Sequence, residues 1–564
     1  MARTISIGAQ GYEELRTKGY FYVDKTSFVS EWWEAADVVT LVCRPRRFGK
    51  TLNLDTVRCF LSTEFVGRGE ELFGGTEVWE DGTMRAVQGT VPVVFLSFAR
   101  VKQTDFGSML RRINRIVSDA AREHAYLLDW EGAGDAERAE LAAIGPKMDA
   151  ETCANAPNLL CGLLRRYHGV APVVLIDEYD TPMERAWVGG FWDQAADFMH
   201  DLMNSTFKDN ADLGRGLITG VTRVARESIF SDLNNLEVVT TSSPKYRTAF
   251  GFTQTEVDAA LAEYGLEGHT AEVRRWYDGF TFGGVGDVYN PWSITNLLDE
   301  GGSLQTYWVN TSSNGLVSEV VRRGDEELKA DFEELMRGGT IEKVIDEQVV
   351  FSELETMPEA VWALLLAAGY VTSPGPVPVD VVRTPRLLRL TNLEVELCFD
   401  RMAKGWFSPA RVRYNQFARA LFAGDARVAT RCLAEVTRAC VSSFDAGTHP
   451  AESEPERFYH GLVLGLLASL RETHAVESNR ESGFGRYDVA LVPKIGSRGG
   501  DTAVVMEFKV FDPYEEETLA DTVRRARAQV EERRYAAGLV ARGIDESRIR
   551  TFGIAFRGKE VLVG

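Results

Sequence analysis

Two short runs of this chain hold residue types suited to phosphoryl chemistry. The first, Arg44-Pro45-Arg46-Arg47-Phe48-Gly49-Lys50-Thr51, follows the apolar run Val38-Val39-Thr40-Leu41-Val42-Cys43. In the pattern Gly-x-x-x-x-Gly-Lys-Ser/Thr after a strand, loop amides and a helix N-terminus cradle a β-phosphate. The Lys reaches the β/γ oxygens and the hydroxyl holds Mg²⁺. Gly49, Lys50 and Thr51 fit, whereas Arg44 stands at the first Gly and Pro45 removes an amide donor, so the opening turn must differ. The second run, Pro172-Val173-Val174-Leu175-Ile176-Asp177-Glu178, is unbroken apolar sequence ending in two acids, as in a strand buried on both faces of a parallel sheet. At its carboxyl end Asp177 would hold the Mg²⁺ shell and Glu178 would activate water. A bland reading, a buried strand meeting a solvated acidic loop that Asp180 merely continues, stands beside it.

The C-terminal region carries a second constellation. Tyr487-Asp488-Val489-Ala490-Leu491-Val492 reads as a strand, Ile495 to Gly500 as a turn, and Thr502 to Val510 as the returning strand. Strand alternation puts Glu507 and Lys509 on one face, and Val504, Met506 and Phe508 on the other. Asp488 and Glu507 would offer hard oxygen ligands to Mg²⁺, and Lys509 could orient a water and offset charge at a phosphate. An ordinary Glu–Lys ion pair is the alternative. Upstream, Glu456 and His460 fall one helical turn apart, making Glu456 a further candidate ligand. Downstream, Gln529 and Tyr535 lie among Arg524, Arg525, Arg527, Arg533 and Arg534, a surface that could track phosphates or be a solvated amphipathic face.

Elements that must position these groups follow from the pattern. Strands are expected at Val91–Phe98 and Gly216–Arg223 and helices to about Arg166 and over Asp193–Lys208, which together give a doubly wound parallel sheet with its ligand at the carboxyl ends. Thr222 and Arg223, at the end of the strand beside the acidic one, are candidates for sensing a γ-phosphate; a strand end meeting a turn is the alternative. Tyr20-Phe21-Tyr22-Val23 is expected as a short strand, with Asp24 capping a helix that carries Phe28, Val29, Trp32 and Trp33. From Thr253 the pattern turns helical. Trp276 to Phe280 and Tyr289-Asn290-Pro291-Trp292-Ser293 read as turns pinned by buried aromatics, without chemistry of their own.

At 564 residues the chain exceeds one core, and about three or four domains are expected. Its composition, 45% hydrophobic and 26% charged, is that of a globular protein. No basic, apolar leader is seen, and the longest apolar stretch, Val361 to Val371, is too short to span a bilayer, so a cytoplasmic protein without membrane contact is expected. Seven scattered cysteines suggest reduced, buried thiols. A net charge of −20 argues against bulk electrostatic coating of nucleic acid, but screening over about 8 Å leaves room for local basic clusters. The candidates are Arg44, Arg46 and Arg47, and the C-terminal arginines.

Six stretches carry a resemblance: Tyr22-Val23-Asp24-Lys25-Thr26, Arg44 to Thr51, Leu175-Ile176-Asp177-Glu178-Tyr179-Asp180-Thr181-Pro182, Gly220 to Ala225, Tyr289 to Ser293, and Ser478 to Asp488 followed by Glu507-Phe508-Lys509. In these the chain resembles the bacterial and archaeal AAA-ATPase-like proteins with a C-terminal PD-(D/E)XK nuclease domain. The resemblance implies an α/β chain with a P-loop ATPase domain over 1–250, a helical and mixed middle over 251–440 and a restriction-endonuclease-like domain over 441–564. It implies ATP and Mg²⁺, with Mn²⁺ as an alternative at the nuclease centre. The implied nucleotide site is Arg46, Arg47, Phe48, Gly49, Lys50, Thr51, Asp177, Thr222 and Arg223, with Glu178 catalytic. The nuclease centre would be Asp488, Glu507 and Lys509, with Glu456 as accessory metal ligand and Gln529, Arg524 and Arg527 toward nucleic acid. Tyr487 replaces the nuclease core's usual Pro. The expected function is an ATP-regulated or ATP-driven nuclease on DNA, in defence or mobile-element biology. The rivals are an NTP-dependent switch or scaffold that binds nucleic acid or a protein partner without cutting, and a degenerate ATPase that no longer binds nucleotide. A homo-oligomeric ring would need an arginine in trans, with Arg223 or Arg226 as candidates.

Overall fold

The structure, a computed structural model, describes residues 2–208, 210–222, 229–230, 233–308, 326–347, 358–378, 380, 383–406, 411–444, 463, 467, 470, 473–482, 485–494, 501–513, 515–533, 535–557 and 560–564. They form two compact units, residues 1–321 with 334–397, and residues 322–333 with 398–564.

The first unit is built on five parallel strands in the order β2-β3-β4-β1-β5. They are β1 (Val39–Cys43), β2 (Val93–Ser97), β3 (Val173–Asp177), β4 (Arg215–Gly220) and β5 (Leu236–Val239). Every residue of β1 and β3 is buried, the signature of a sheet covered on both faces. Register aligns the carboxyl ends: Ser97 pairs with Asp177, and Cys43 with Gly220. The two chemistry-bearing strands are therefore not neighbours but flank β4, so whatever follows β4 lies between the loop and the acids.

Helix Lys50–Leu61 leaves β1 after Gly49, whose φ of 79° makes the sharp entry that a side chain resists. Its Leu54, Val57, Phe60 and Leu61 share one buried cluster with Val42 and Leu175. Tyr20 to Val23 form no strand; the segment is held as extended chain by Phe21 N donating to Thr4 O at 2.9 Å. Asp24 does not cap the next helix, Ser27–Ala35: Thr26 is its N-cap and makes no side-chain capping bond, and Asp24 instead accepts from Thr26 N at 2.9 Å in the turn before it and from Glu77 N with its other oxygen.

The segment after Thr253 is less helical than its pattern implies. Strands β6 (Phe252–Thr253), β7 (Phe280–Phe282) and β8 (Val285–Tyr289) form a small sheet in the order β6-β8-β7. Helix Pro291–Asp299 follows, capped by Asn290 Oδ1, which accepts from Trp292 N and Ser293 N. A second small sheet, β10-β11-β9, joins β9 (Ile341–Lys343), β10 (Val371–Thr372) and β11 (Arg386–Leu390).

In the second unit β12 (His474–Ser482), β13 (Gly485–Pro493), β14 (Ala503–Val510), β15 (Ile549–Arg557) and β16 (Glu560–Val563) lie in sequence order, antiparallel except for the parallel pair β14–β15. Alternation sorts the two faces. Val489, Leu491, Val504, Met506 and Phe508 pack with Phe417, Leu421 and Leu433 from the helices Arg411–Ala423 and Ala426–Phe444. Ala490, Val492, Ala503 and Val505 pack with Val530, Tyr535 and Leu539 from the helices Leu519–Glu532 and Tyr535–Ala541. This core thus begins upstream of residue 441. Among the described residues no helix is long and apolar enough to cross a membrane, and six cysteines are free and buried.

Candidate active sites

At the carboxyl ends of the first sheet the phosphate-type loop is braced from several sides. Arg44 is completely buried. Its guanidinium donates to Cys43 O at 2.9 Å and Thr240 O at 2.6 Å and lies 4.8 Å from the Phe282 ring centroid. It therefore takes the carbonyls beyond the edge strand β5, and is excluded from the surface cluster that the sequence suggested. Phe48 is also a core residue, edge-on to Phe280 at 4.7 Å and Phe282 at 5.4 Å, so only its backbone can face a ligand. Arg47 has φ of 64°, and its guanidinium lies 3.6 Å from the Trp292 ring centroid. Arg46 ion-pairs with Glu184, and its carbonyl accepts from Asn290 Nδ2 at 3.3 Å and Trp308 Nε1 at 3.1 Å.

Lys50 is buried with its ammonium turned back on the loop, donating to Arg44 O and Pro45 O at 2.9 Å each. Burial pushes its pKa down, against the opposing pull of Glu178, Asp180 and Asp177. Thr51 Oγ1 donates to Asp177 Oδ2 at 2.9 Å, across the end of β4. That carboxylate is fully buried and also accepts from Thr219 Oγ1 at 2.8 Å and Ser97 Oγ at 3.3 Å. Burial and neighbouring Glu178 raise its pKa. Three hydroxyls fix the carboxylate, and the Thr51 oxygen keeps lone pairs, so this donor set fits Mg²⁺ with Thr51 and Asp177 as its holders. Glu178 adopts φ of 50°, uncommon for a non-glycine residue, and accepts from Thr181 Oγ1 at 3.2 Å.

Asp180 does more than continue an acidic loop. Its Oδ2 accepts from Val221 N at 2.8 Å and Thr222 N at 3.0 Å, and Tyr179 Oη donates to Thr222 O at 2.9 Å. The acid-bearing turn thereby fixes the turn that follows β4, where Thr222 sits. Arg223 and Arg226 lie outside the described residues.

In the second unit Asp488, Glu507 and Lys509 come together. The register that opposes Val489 to Met506 brings Asp488 beside Glu507, and Asp488 Oδ2 accepts from Phe508 N at 2.7 Å. Glu507 is 1% exposed; Lys509 Nζ is 3.6 Å from its Oε1, and Gln529 Nε2 donates to the same oxygen. Burial, then Asp488, push the Glu507 pKa up to about 8, with Lys509 opposing. Among the described residues Glu507 Oε2 is buried without a hydrogen-bond partner, a costly arrangement for a carboxylate. A hard oxygen held in this way fits a divalent cation shared with Asp488. Among the described residues no three His, Cys, Asp or Glu side chains gather as a metal site, and Glu456 and His460 lie outside them.

The comparisons with known proteins follow the same division. A family model described as a predicted AAA-ATPase matches residues 6–230, and one for the PD-(D/E)XK nuclease superfamily matches residues 454–564. The chain is also 30% identical over 405 residues to an uncharacterized protein in the vnfD 5′ region of Azotobacter chroococcum mcd 1, a span of 70% of this chain and 68% of that protein. The chain belongs to the AAA-ATPase-like proteins with a C-terminal PD-(D/E)XK nuclease domain.

In this AAA-ATPase-like protein the arginine-rich helix departs from expectation. Arg524 pairs with Asp521, and Arg525 with Glu515 at 3.2 Å and Glu516 at 3.0 Å. Arg527 is exposed, Arg534 lies outside the described residues, and Gln529 turns inward to Glu507, with Tyr535 Oη 3.3 Å away. Sequence reading assigns no site role to Ser97 or Thr219, leaves Trp308 unmarked, and marks Asn290 and Trp292 only as a turn without chemistry. The first two carry a signal, a polar residue ending a strand beside an acidic one. The last three brace the loop from more than two hundred residues away, beyond the reach of any local pattern.

Proposed function

We propose that this protein is an ATP-regulated or ATP-driven, metal-dependent nuclease acting on DNA. One observation supports it above the rest: Glu507, beside Asp488 and Lys509, has a buried carboxylate oxygen without a hydrogen-bond partner among the described residues. In this reading Asp488 and Glu507 hold Mg²⁺ or Mn²⁺, and Gln529 orients the Glu507 carboxylate. Lys509 positions the attacking water and offsets charge at the phosphate. A bound divalent ion contributes charge neutralisation and acidifies a water. In the first unit Thr51 and Asp177 hold Mg²⁺, Glu178 takes the water proton, and Lys50 exchanges the Arg44 and Pro45 carbonyls for phosphate oxygens. A cytoplasmic setting and a role in defence against foreign DNA belong to this proposal.

The test is cleavage of single-stranded, double-stranded, circular and RNA substrates with Mg²⁺ or Mn²⁺, with and without ATP. Lys509→Ala should stop cleavage and leave ATP hydrolysis intact; failure of the wild-type protein to cut any substrate refutes the nuclease reading. A second reading, an NTP-dependent switch whose nuclease-like fold binds without cutting, is favoured by the pairing of Arg524 and Arg525 with acids. Metal-dependent binding without turnover would select it.

A further inference from the structure

We infer that Arg46 supplies, from within the same chain, the cation that meets the γ-phosphate during ATP hydrolysis, and that Glu184 holds this side chain in reserve until nucleotide arrives. The inference rests on the ATPase reading above.

The loop from Arg44 to Gly49 curls around the Lys50 ammonium, which bonds the carbonyls of Arg44 and Pro45. Arg46 is the next residue of that curl. Its backbone is anchored from outside by Asn290 and Trp308, while its side chain is 36% exposed and engages Glu184. Glu184 lies in the helix Thr181–Gly189, which follows Asp177 and Glu178, so the ion pair links the phosphate-type loop to the helix after the acid-bearing strand. The other two loop arginines are committed differently: Arg44 is buried on backbone carbonyls and Arg47 is stacked on Trp292. Among these three, only Arg46 has a partner that an anion can replace like for like, because guanidinium grips carboxylate and phosphate with the same fork of donors. A triphosphate brings several charges to the loop against the single carboxylate of Glu184.

In the hydrolytic step the water oxygen forms the new bond to the γ-phosphorus, and its proton passes to Glu178. The bond from that phosphorus to the β,γ-bridging oxygen breaks, and its electron pair stays on ADP. Arg46 donates to the γ-oxygens as charge spreads over them, the task of an arginine finger, here in cis.

The experiment uses the full chain and reads both turnover and equilibrium binding of ATP and ADP for wild type, Arg46→Ala, Arg46→Lys and Glu184→Gln. Arg46→Ala should lower kcat by about 10³-fold and bring ATP affinity down to that of ADP. Arg46→Lys should fall between, since an ammonium lacks the fork. Glu184→Gln, which releases the guanidinium, should tighten ATP severalfold and leave ADP unchanged. Wild-type turnover in Arg46→Ala with its ATP preference intact overturns the inference, as does recovery of activity on mixing that variant with Lys50→Ala, which would place the arginine between copies. If Arg46→Ala does not fold, unchanged ATP affinity in Glu184→Gln together with full turnover in Arg46→Lys overturns it. A wild-type protein that binds no ATP refutes the ATPase reading and takes this inference with it. One that binds and hydrolyses ATP without needing Arg46 refutes this inference alone.

Discussion

Replacing Glu507 by Gln should flatten a steep loss of stability with pH in the metal-free protein. The folded-state pKa of Glu507 is raised from 4.5 to about 8. The folded chain therefore keeps this proton over a range in which the unfolded chain has lost it. For an acid raised in this way the sign is fixed: stability is fully present below the unfolded pKa, falls as pH rises from about 4.5 to about 8, and is level above that. At 1.36 kcal/mol per pKa unit the whole window amounts to roughly 5 kcal/mol, and the part between pH 5 and 8 to about 4 kcal/mol. For a unit of this size a kcal/mol moves Tm by about 2–4 °C, so the wild-type transition should drop by ~10 °C over that range. Gln retains the shape of the protonated acid and has no charge to bury. The assay is scanning calorimetry of the full chain in chelator, following the C-terminal unit's transition from pH 5 to 9 in both proteins. Mg²⁺ should restore the wild type at pH 8 and do little for Glu507→Gln, because only an ionised carboxylate repays the cation. Parallel curves for the two proteins would refute the reasoning, since a solvated Glu507 has no such slope.

Other outcomes follow from single contacts. Arg44→Met should destabilise the first unit by about 3–5 kcal/mol in denaturant unfolding, because the buried guanidinium leaves several carbonyls unpaired; a loss under 1 kcal/mol would show that those carbonyls find water. Lys50→Ala should weaken ATP at least about 100-fold by calorimetry, at 1.5–3 kcal/mol for each lost charged hydrogen bond; unchanged binding would mark the loop as degenerate. Gly220→Ala places a Cβ 2.6 Å from the Tyr179 ring and should cost about 1–3 kcal/mol while disturbing the turn held by Asp180. A neutral result in urea unfolding would mean that the Tyr179 ring moves aside freely.

Sequence by itself determined the local parts of this protein. Unbroken apolar runs require strands buried on both faces, Gly49 lets the chain turn sharply into a helix, and period-two alternation places Glu507 and Lys509 on one side of β14. Each of these is written in adjacent residues, where sterics and burial act within a few positions. The strand expected at Tyr20–Val23 failed for the complementary reason: aromatic residues favour a pleated surface, but here Phe21 and Tyr22 pack into buried clusters while the backbone bonds Thr4 O and joins no strand ladder among the described residues.

Only the tertiary structure decided the rest. Thr51 and Asp177, 126 residues apart, meet because β4 sets the spacing between their strands. Arg44 reads in sequence as part of a local basic cluster, yet the carbonyls after β5 draw its guanidinium into the core. Trp292 reads as a buried aromatic of a turn and Trp308 has no sequence signal, yet the first stacks on Arg47 and the second bonds the carbonyl of Arg46. Ion pairs and hydrogen bonds have a reach of a few ångströms in space and no fixed reach along the chain, so a residue type limits what a site can do while the fold chooses which partner it has.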